Sequence, residues 1–328
     1  MNITAYTYYR NGAAGEWSYR NNLEVFQRFR LRPRVLVDIT NIESTLPTTI
    51  LGYNFSVPFF IAPCARGGYG HKDGELNIVK GAAESDILYI PSILSTKSIE
   101  DIAAAKGDNQ VLFQQVYLPD NDTDLSLAKA LFERIEKAGS KAIILTVDSA
   151  ADGNRHRAKR YGVGSADSSY TYLTWDLYQK LSKLTTLPII PKGIQTVEDA
   201  RLAVENGVKA IYLSNHGGRQ LDTTPSSLEV ALEIYNEEPE IFKKVEVYAD
   251  GGVRYGADVL KLLALGVKAV GVGRPFMFSN VYGIDGVKKA VALLKREVAI
   301  DAGNLGVGDL QKIGPQFVNW KSTNLWFS

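Results

Sequence analysis

The chain has 328 residues, 45% of them hydrophobic and 22% charged, with a formal net charge of +1. That balance is ordinary for a soluble globular enzyme with a large core, and it gives no bulk electrostatic reason to expect nucleic acid or an anionic membrane. The single cysteine, Cys64, excludes an internal disulfide framework and a cysteine-based metal site.

Residues Met1 to Arg20 are polar and aromatic, with no apolar signal-peptide core, and no apolar run reaches the ~20 residues that span a bilayer. The C-terminal Asn324-Leu325-Trp326-Phe327-Ser328 is not the Ser-Lys-Leu peroxisomal address. A cytoplasmic or otherwise intracellular protein is expected, with no membrane span.

Further along, one grammar recurs: a short apolar, β-branched run ends in polar or glycine residues, and a helical pattern follows. The runs are Phe59–Pro63, Ile87–Ser92, Val111–Tyr117, Ala142–Asp148, Pro188–Gly193, Ala210–Asn215, Glu246–Gly252 and Ala269–Arg274. Near-continuous apolar strands predict burial on both faces, as parallel sheets require. Between them, Asp124–Ala138 reads as a helix ended by Gly139. Thr196 starts another, with Glu198 and Asp199 in its first turn and Gly207 at its end. Ala257–Leu265, closed by Gly266, repeats the pattern. Successive βα units of this number predict the α/β class: a single (β/α)8 TIM barrel with a short N-terminal helical extension, residues 1–328 forming one domain.

The polar residues of these runs gather at their carboxyl ends: Ser92, Gln115, Tyr117, Thr146, Asp148, Lys192, His216, Asp250 and Arg274 among them. Barrels build active sites on that rim, and a purely structural barrel has no reason to load it with titratable groups. Two consecutive units end in glycine segments, Asp250-Gly251-Gly252-Val253-Arg254 and Gly271-Val272-Gly273-Arg274-Pro275. Barrels often hold a phosphate there on backbone N–H groups, and the two arginines can add charge-assisted bonds, although tight turns with solvated arginines would look the same. No G-x-G-x-x-G follows an early strand, so a mononucleotide suits these segments better than a dinucleotide.

The sharpest feature is Ser214-Asn215-His216-Gly217-Gly218-Arg219-Gln220-Leu221-Asp222. A strand-end histidine can act as a general base near neutral pH, and an arginine three positions on can grip a carboxylate with two parallel bonds. This nonapeptide resembles the signature of the FMN-dependent 2-hydroxy-acid oxidases and dehydrogenases, the group of glycolate oxidase, lactate oxidase and the flavin lactate dehydrogenases. Tyr8-Tyr9-Arg10-Asn11-Gly12-Ala13, Arg32-Pro33-Arg34-Val35-Leu36, Ile61-Ala62-Pro63, Leu145-Thr146-Val147-Asp148 and Lys192-Gly193 extend the likeness over nearly the whole chain.

The resemblance implies FMN as cofactor and oxidation of an L-2-hydroxy acid to the 2-keto acid, with oxygen or another electron acceptor. His216 would be the base, Asp148 its orienting carboxylate and Tyr117 a hydrogen-bond partner of the substrate oxygen. Arg155 and Arg219 would bind the substrate carboxylate, with Tyr8 assisting. Cofactor contacts are implied for Pro63, Cys64, Ala65, Ser92, Gln115, Thr146 and Lys192, and at the glycine segments for Ser214, Asp250, Gly251, Gly252, Arg254, Gly273 and Arg274. Gln115 is chosen over Gln114 because Gln115-Val116-Tyr117 puts both polar side chains on one face of a strand. Members of the family commonly form homotetramers, so a homo-oligomer is expected.

Three departures from the family pattern bear on specificity. The segment from His156 to Thr174 is short where members carry a long covering excursion, which implies a more open site. Leu94 stands where several members place a bulky aromatic. Cys64-Ala65-Arg66 replaces Thr-Ala followed by an apolar residue; Cys64 reads as a small buried residue. Arg66 either favours a substrate with a second acidic group or, more plainly, makes a salt bridge or points to solvent. The chain starting so near Tyr8 also predicts a truncated first helix and no haem-binding domain ahead of the barrel. Competing readings keep the flavin but change the chemistry (an isomerase, or a tailoring enzyme for a larger acid), or dispense with catalysis altogether in a scaffold barrel.

Overall fold

The computed structural model describes residues 1–119, 122, 124–164 and 172–320. Two helices, α1 (Ile3–Tyr9) and α2 (Trp17–Arg28), precede the sheet. Seven parallel strands then follow: β1 (Phe59–Ile61), β2 (Gln114–Val116), β3 (Ile143–Thr146), β4 (Ile189–Ile194), β5 (Ala210–Leu213), β6 (Glu246–Ala249) and β7 (Ala269–Val272). Their order is β1-β7-β6-β5-β4-β3-β2, so each of β2 to β7 lies beside its neighbour in sequence, while β7 returns to β1. The apolar run Ile87–Ser92 is not a continuous strand. It contributes isolated parallel bridges, Tyr89 to Ile61 on β1 and to Leu112, and Ser92 to Gln115 on β2. Pro91 within the run removes one ladder donor, a physical reason for the interruption.

The helices begin and end where local chemistry dictates. Thr196 caps Val197–Glu205 by accepting from the Asp199 N–H, with two acidic residues in the first turn. The helix expected at Asp124–Ala138 spans Ser126–Lys137, and the one expected at Ala257–Leu265 spans Gly256–Ala264. The glycines at 139, 207 and 266 all take left-handed φ just beyond them.

Period-2 alternation sorts the strand side chains into two cores. Phe59, Ile61, Ile143, Leu145, Ile211, Leu213 and Val247 face outward and pack with helix residues such as Leu260 and Val298. Phe60, Ile90, Phe113, Ile144, Ile190, Tyr212 and Tyr248 face inward and form a second cluster with Ile50 and Phe55. Ile50 and Phe55 come from an antiparallel hairpin (48–50 with 53–55) whose Leu51 N–H is held by Glu246 at the amino end of β6. The hairpin therefore covers the amino ends of the strands, and the chemistry is left to the carboxyl ends. Among the described residues no helix is long and apolar enough to cross a membrane.

Candidate active site

The inward row of each strand continues past the apolar layer. One pleat beyond Ile90, Phe113, Ile144, Ile190, Tyr212 and Tyr248 come Ser92, Gln115, Thr146, Lys192, Ser214 and Asp250. The same two-residue period that fills the interior with apolar groups thus lines its carboxyl mouth with polar ones. All of these but Ser214 line a cavity of about 910 Å³, its open mouth included.

Most of the residues singled out from sequence line this cavity. They are Tyr8, Pro63, Cys64, Ala65, Ser92, Gln115, Tyr117, Thr146, Lys192, His216, Arg219, Asp250, Gly251, Gly252, Arg254, Gly273 and Arg274. Gln114 does not; its amide is turned to the carbonyls of Pro91 and Gln115. Asp148, Arg155 and Ser214 stand one step behind the wall, and each is bonded to a residue in it.

The imidazole of His216 is fixed from several sides. Its Nδ1 lies 2.9 Å from Asp148 Oδ1, and Tyr117 Oη is 3.4 Å from Nε2. The backbone of His216 is left-handed, φ 57°, followed by Gly217 and Gly218 at 65° and 74°. A side chain in that region is strained, and such strain gathers where structure must aim one group. Here the His216 N–H is held by Ser214 Oγ at 3.0 Å. A side chain at 218 would strike the Tyr19 N–H at 2.5 Å, so glycine is required where this turn packs on α2. Burial pulls the imidazole below its ordinary pKa, against the opposite pull of Asp148. Burial acts to raise the Asp148 carboxyl, but His216 and Lys192 hold it below its usual range. The resting pair is a neutral imidazole beside a carboxylate, the state a general base needs. Tyr117 is pushed up by burial, then by Asp148, and keeps its proton.

Ser214 is a hub. Its hydroxyl accepts from Lys192 Nζ at 2.9 Å and donates to Asp250 Oδ1 at 2.6 Å, while Tyr212 Oη donates to Asp250 Oδ2 at 3.0 Å. Across the cavity wall, Ser92 Oγ donates to Gln115 Oε1 and Gln115 Nε2 to Thr146 Oγ1, each at 2.8 Å. These chains hold the wall's polar atoms in fixed directions before any ligand arrives.

Four cations line the cavity (Lys192, Arg219, Arg254 and Arg274) against one carboxylate, Asp250. Arg219 donates to the Tyr8 carbonyl at 2.7 Å and lies over the Tyr8 ring. Arg155, expected as a second carboxylate ligand, does not line the cavity. Its Nε and one Nη donate to the Arg219 carbonyl and to Gln220 Oε1, at 3.0 and 2.6 Å, so it braces the segment that carries Arg219. Burial, then the Arg219 charge, lowers Arg155 to about 9. The fork of Arg274, expected to be available to a phosphate, is largely spent on the carbonyls of Tyr9, Asn11 and Gly217. Arg274 therefore acts chiefly through its charge, and it too is lowered to about 9, by burial and then by Arg219. Gly252 has a packing reason of its own, because a Cβ there would meet the Asn22 carbonyl at 1.7 Å.

Arg66 corrects an expectation. Among the described residues it makes no salt bridge, and it is half-buried over the ring of Tyr8, 4.7 Å from the centroid. Cys64 lines the cavity, and burial pushes its thiol up to about 11. Part of the short segment His156–Thr174 (165–171) and the C-terminal Asn324–Ser328 lie outside the described residues.

Several positioning residues escaped the sequence reading. Asp222 binds the Ser18 and Trp17 N–H groups at the start of α2, at 2.8 and 3.2 Å, and the Asn215 and Asn22 amides pair at 2.8 Å. Both lie in the histidine nonapeptide, so their signal was present but its long-range partner was not. Glu75, fully buried, accepts from the Gly67, Thr96 and Lys97 N–H groups and ties two rim loops together. Nothing local in the sequence marks it.

Comparison with known proteins accords with this geometry. A profile of the family described as FMN-dependent dehydrogenase matches residues 1–171 and 164–320. An L-lactate oxidase of Nostoc sp. is 37% identical over 348 residues, covering 96% of this chain and 93% of that protein. An L-lactate dehydrogenase (cytochrome) of Wickerhamomyces anomalus is 34% identical over 342 residues; 97% of this chain is covered but only 59% of that longer enzyme. The recombinant flavin-binding domain of baker's yeast flavocytochrome b2 superposes with a TM-score of 0.91 at 35% identity, over 99% of this chain and 84% of that one. The chain belongs to the FMN-dependent dehydrogenase family, and its cofactor is FMN.

Proposed function

We propose that this chain oxidises an L-2-hydroxy acid to the 2-keto acid and passes the electrons to oxygen, working as one closed (β/α)8 domain, residues 1–328, with α1 and α2 as its N-terminal extension. The observation that carries the reading is the imidazole of His216, its Nδ1 held 2.9 Å from Asp148, in one cavity with Tyr117 and Arg219.

The cavity suits FMN on two counts. Its excess of cations matches a phosphate-bearing ligand, and Gly251, Gly252 and Gly273 in its wall leave backbone open to one. Pro63, Cys64 and Ala65 would pack on the ring, and Ser92, Gln115, Thr146 and Lys192 would bond its polar edge. Ser214, Asp250, Gly251, Gly252, Arg254, Gly273 and Arg274 would hold the chain that ends in phosphate. When bound, FMN supplies the two-electron sink.

The protein's part is to bind, orient and move one proton. Arg219, braced by Arg155, would take the substrate carboxylate, and the Tyr8 hydroxyl would assist. The Tyr117 hydroxyl, still protonated, donates to the substrate's C2 oxygen. His216 Nε2 takes a proton from the substrate as its two electrons leave, and Asp148 stabilises the imidazolium that results. Lys192, a buried cation, would offset the negative charge that builds on the ring. Anaerobic mixing of the yellow protein with (S)-lactate and other (S)-2-hydroxy acids tests the reading: flavin absorbance should bleach, and aerobic turnover should match the rate if oxygen is the acceptor.

The reading includes assembly into a homotetramer, and the exposed apolar run Val35-Leu36-Val37, with Leu36 fully exposed, offers a surface for self-association. Solution mass by light scattering tests it.

A further inference from the structure

We propose that Tyr212 is a positioning residue for the flavin: its hydroxyl keeps Asp250 from neutralising Lys192, and so sets how readily the bound FMN is reduced. The proposal rests on the reading above that Lys192 bonds the ring's polar edge, and adds to it the group that governs Lys192.

Two inward residues of the apolar layer are tyrosines, Tyr212 and Tyr248, and their hydroxyls serve different layers. Tyr248 donates to Glu246 Oε2 at 2.7 Å, at the amino end of β6, whereas Tyr212 donates to Asp250 Oδ2 at 3.0 Å, in the polar layer. The Tyr212 ring is fixed edge-on against Phe60 and Tyr248, at centroid distances of 5.6 and 6.2 Å. Space for its hydroxyl comes from Gly271 on β7, where a Cβ would strike Tyr212 Oη. Burial, then the Asp250 charge, holds that hydroxyl well above its ordinary pKa, so it stays a donor.

Around Lys192 the bonding to the carboxylate is indirect. Its Nζ donates to Ser214 Oγ at 2.9 Å and lies 3.5 Å from Asp250 Oδ2. A charge-assisted hydrogen bond would be shorter, ~2.7–2.9 Å. The oxygen that faces the cation is thus the one that already accepts from Tyr212, and the other accepts from Ser214 at 2.6 Å. Lys192 Nζ also lies over the Tyr212 ring, 5.1 Å from the centroid. One side chain therefore holds the cation with its face and the carboxylate with its hydroxyl. Lys192 and Asp250 are both buried, and direct pairing there would cancel much of the field that Lys192 sends into the cavity. Without the Tyr212 hydroxyl, Oδ2 loses a donor, and Lys192 is close enough to replace it. The pair then closes, and less positive charge is left to offset the electrons that arrive on the ring.

The test is the two-electron midpoint potential of the bound flavin, read by anaerobic equilibration with redox dyes. Tyr212→Phe keeps the ring and removes the hydroxyl. It should lower the equilibrium constant for reduction about 10-fold, or roughly 30 mV for two electrons. Tyr212→Met, with neither ring nor donor, should shift the potential the same way, so the result does not hang on the folding of one variant. Phe60→Leu disturbs the packing of the Tyr212 ring without touching a donor, and should leave the potential where it is. A potential unchanged or raised in Tyr212→Phe, or an equal fall in Phe60→Leu, overturns the proposal. Lys192→Met separates the proposal from the reading beneath it. If that variant leaves the potential unmoved, Lys192 does not serve the ring, and both fail. If it lowers the potential while Tyr212→Phe does not, the role of Tyr212 alone fails.

Discussion

The two ends of the strands are made by the same pleat and serve opposite ends. At the amino end and middle, inward positions carry Phe60, Ile144, Tyr212 and Tyr248, sealed beneath by the hairpin that Glu246 holds. One or two pleats later the inward positions carry Thr146, Asp148, Ser214 and Asp250, each tied into a hydrogen-bond chain. The lower layer gains from excluding water and is bonded by contact area. The upper layer is polar and needs partners for every buried atom, which makes it directional. Stability and chemistry are thus separated by about two residues along each strand.

That separation can be broken at either layer. The largest effect is expected at the top: His216→Gln should cut flavin reduction by a 2-hydroxy acid about 10,000-fold while the protein stays folded and yellow, measured by anaerobic stopped flow. At the bottom, Phe60→Ala removes a fully buried ring packed edge-on against Tyr212 and Tyr248, and should cost about 3–5 kcal/mol in denaturant unfolding with the imidazole geometry retained. Should Phe60→Ala instead abolish turnover in protein that is still folded, the two layers are not independent.

A smaller effect is expected for Arg219→Lys, which keeps the charge and loses the fork. KM for the hydroxy acid should rise about 10- to 100-fold, with FMN affinity changed far less. The pH profile sharpens the picture further. Burial lowers His216 in the fold, and the base must be neutral, so kcat/KM should be flat above neutrality and fall only at a pH below the ordinary 6.5 of an imidazole. A fall that begins above that value would mean the Asp148 pull dominates.

The smallest effect belongs to Glu16, which receives Arg157 and the Gly12 N–H near the start of α2. Burial acts to raise this carboxyl, but those partners take it down to about 2 from an ordinary 4.5. The folded value is below the unfolded one, so its stabilisation is complete above the ordinary value and is lost as pH falls towards 2. Glu16→Gln should flatten that part of the Tm-against-pH curve, with little change at neutral pH.

The apolar runs and their glycine stops were legible because parallel strands buried on both faces need continuous hydrophobic sequence. Pro91 blurred one of them: Ile87–Ser92 pairs only through isolated bridges. The chemistry of His216, Arg219 and Lys192 was legible because one short segment and several strand ends carry uncommon residue types together. Their partners were not legible in the same way. Asp222 against the start of α2, Glu75 between two loops and the carbonyls that absorb Arg274 are set by contacts across many residues of chain.

By itself, then, the sequence determined the periodicity: which residues face inward, where strands stop, and which polar types follow the apolar layer. Only the tertiary structure decided what those polar groups do. It spends Arg274 on backbone, sets Arg155 behind the wall and lays Arg66 over the ring of Tyr8. The physical reason is that period and propensity are local properties of the chain. The state of a buried charge depends on every neighbour that folding brings to it.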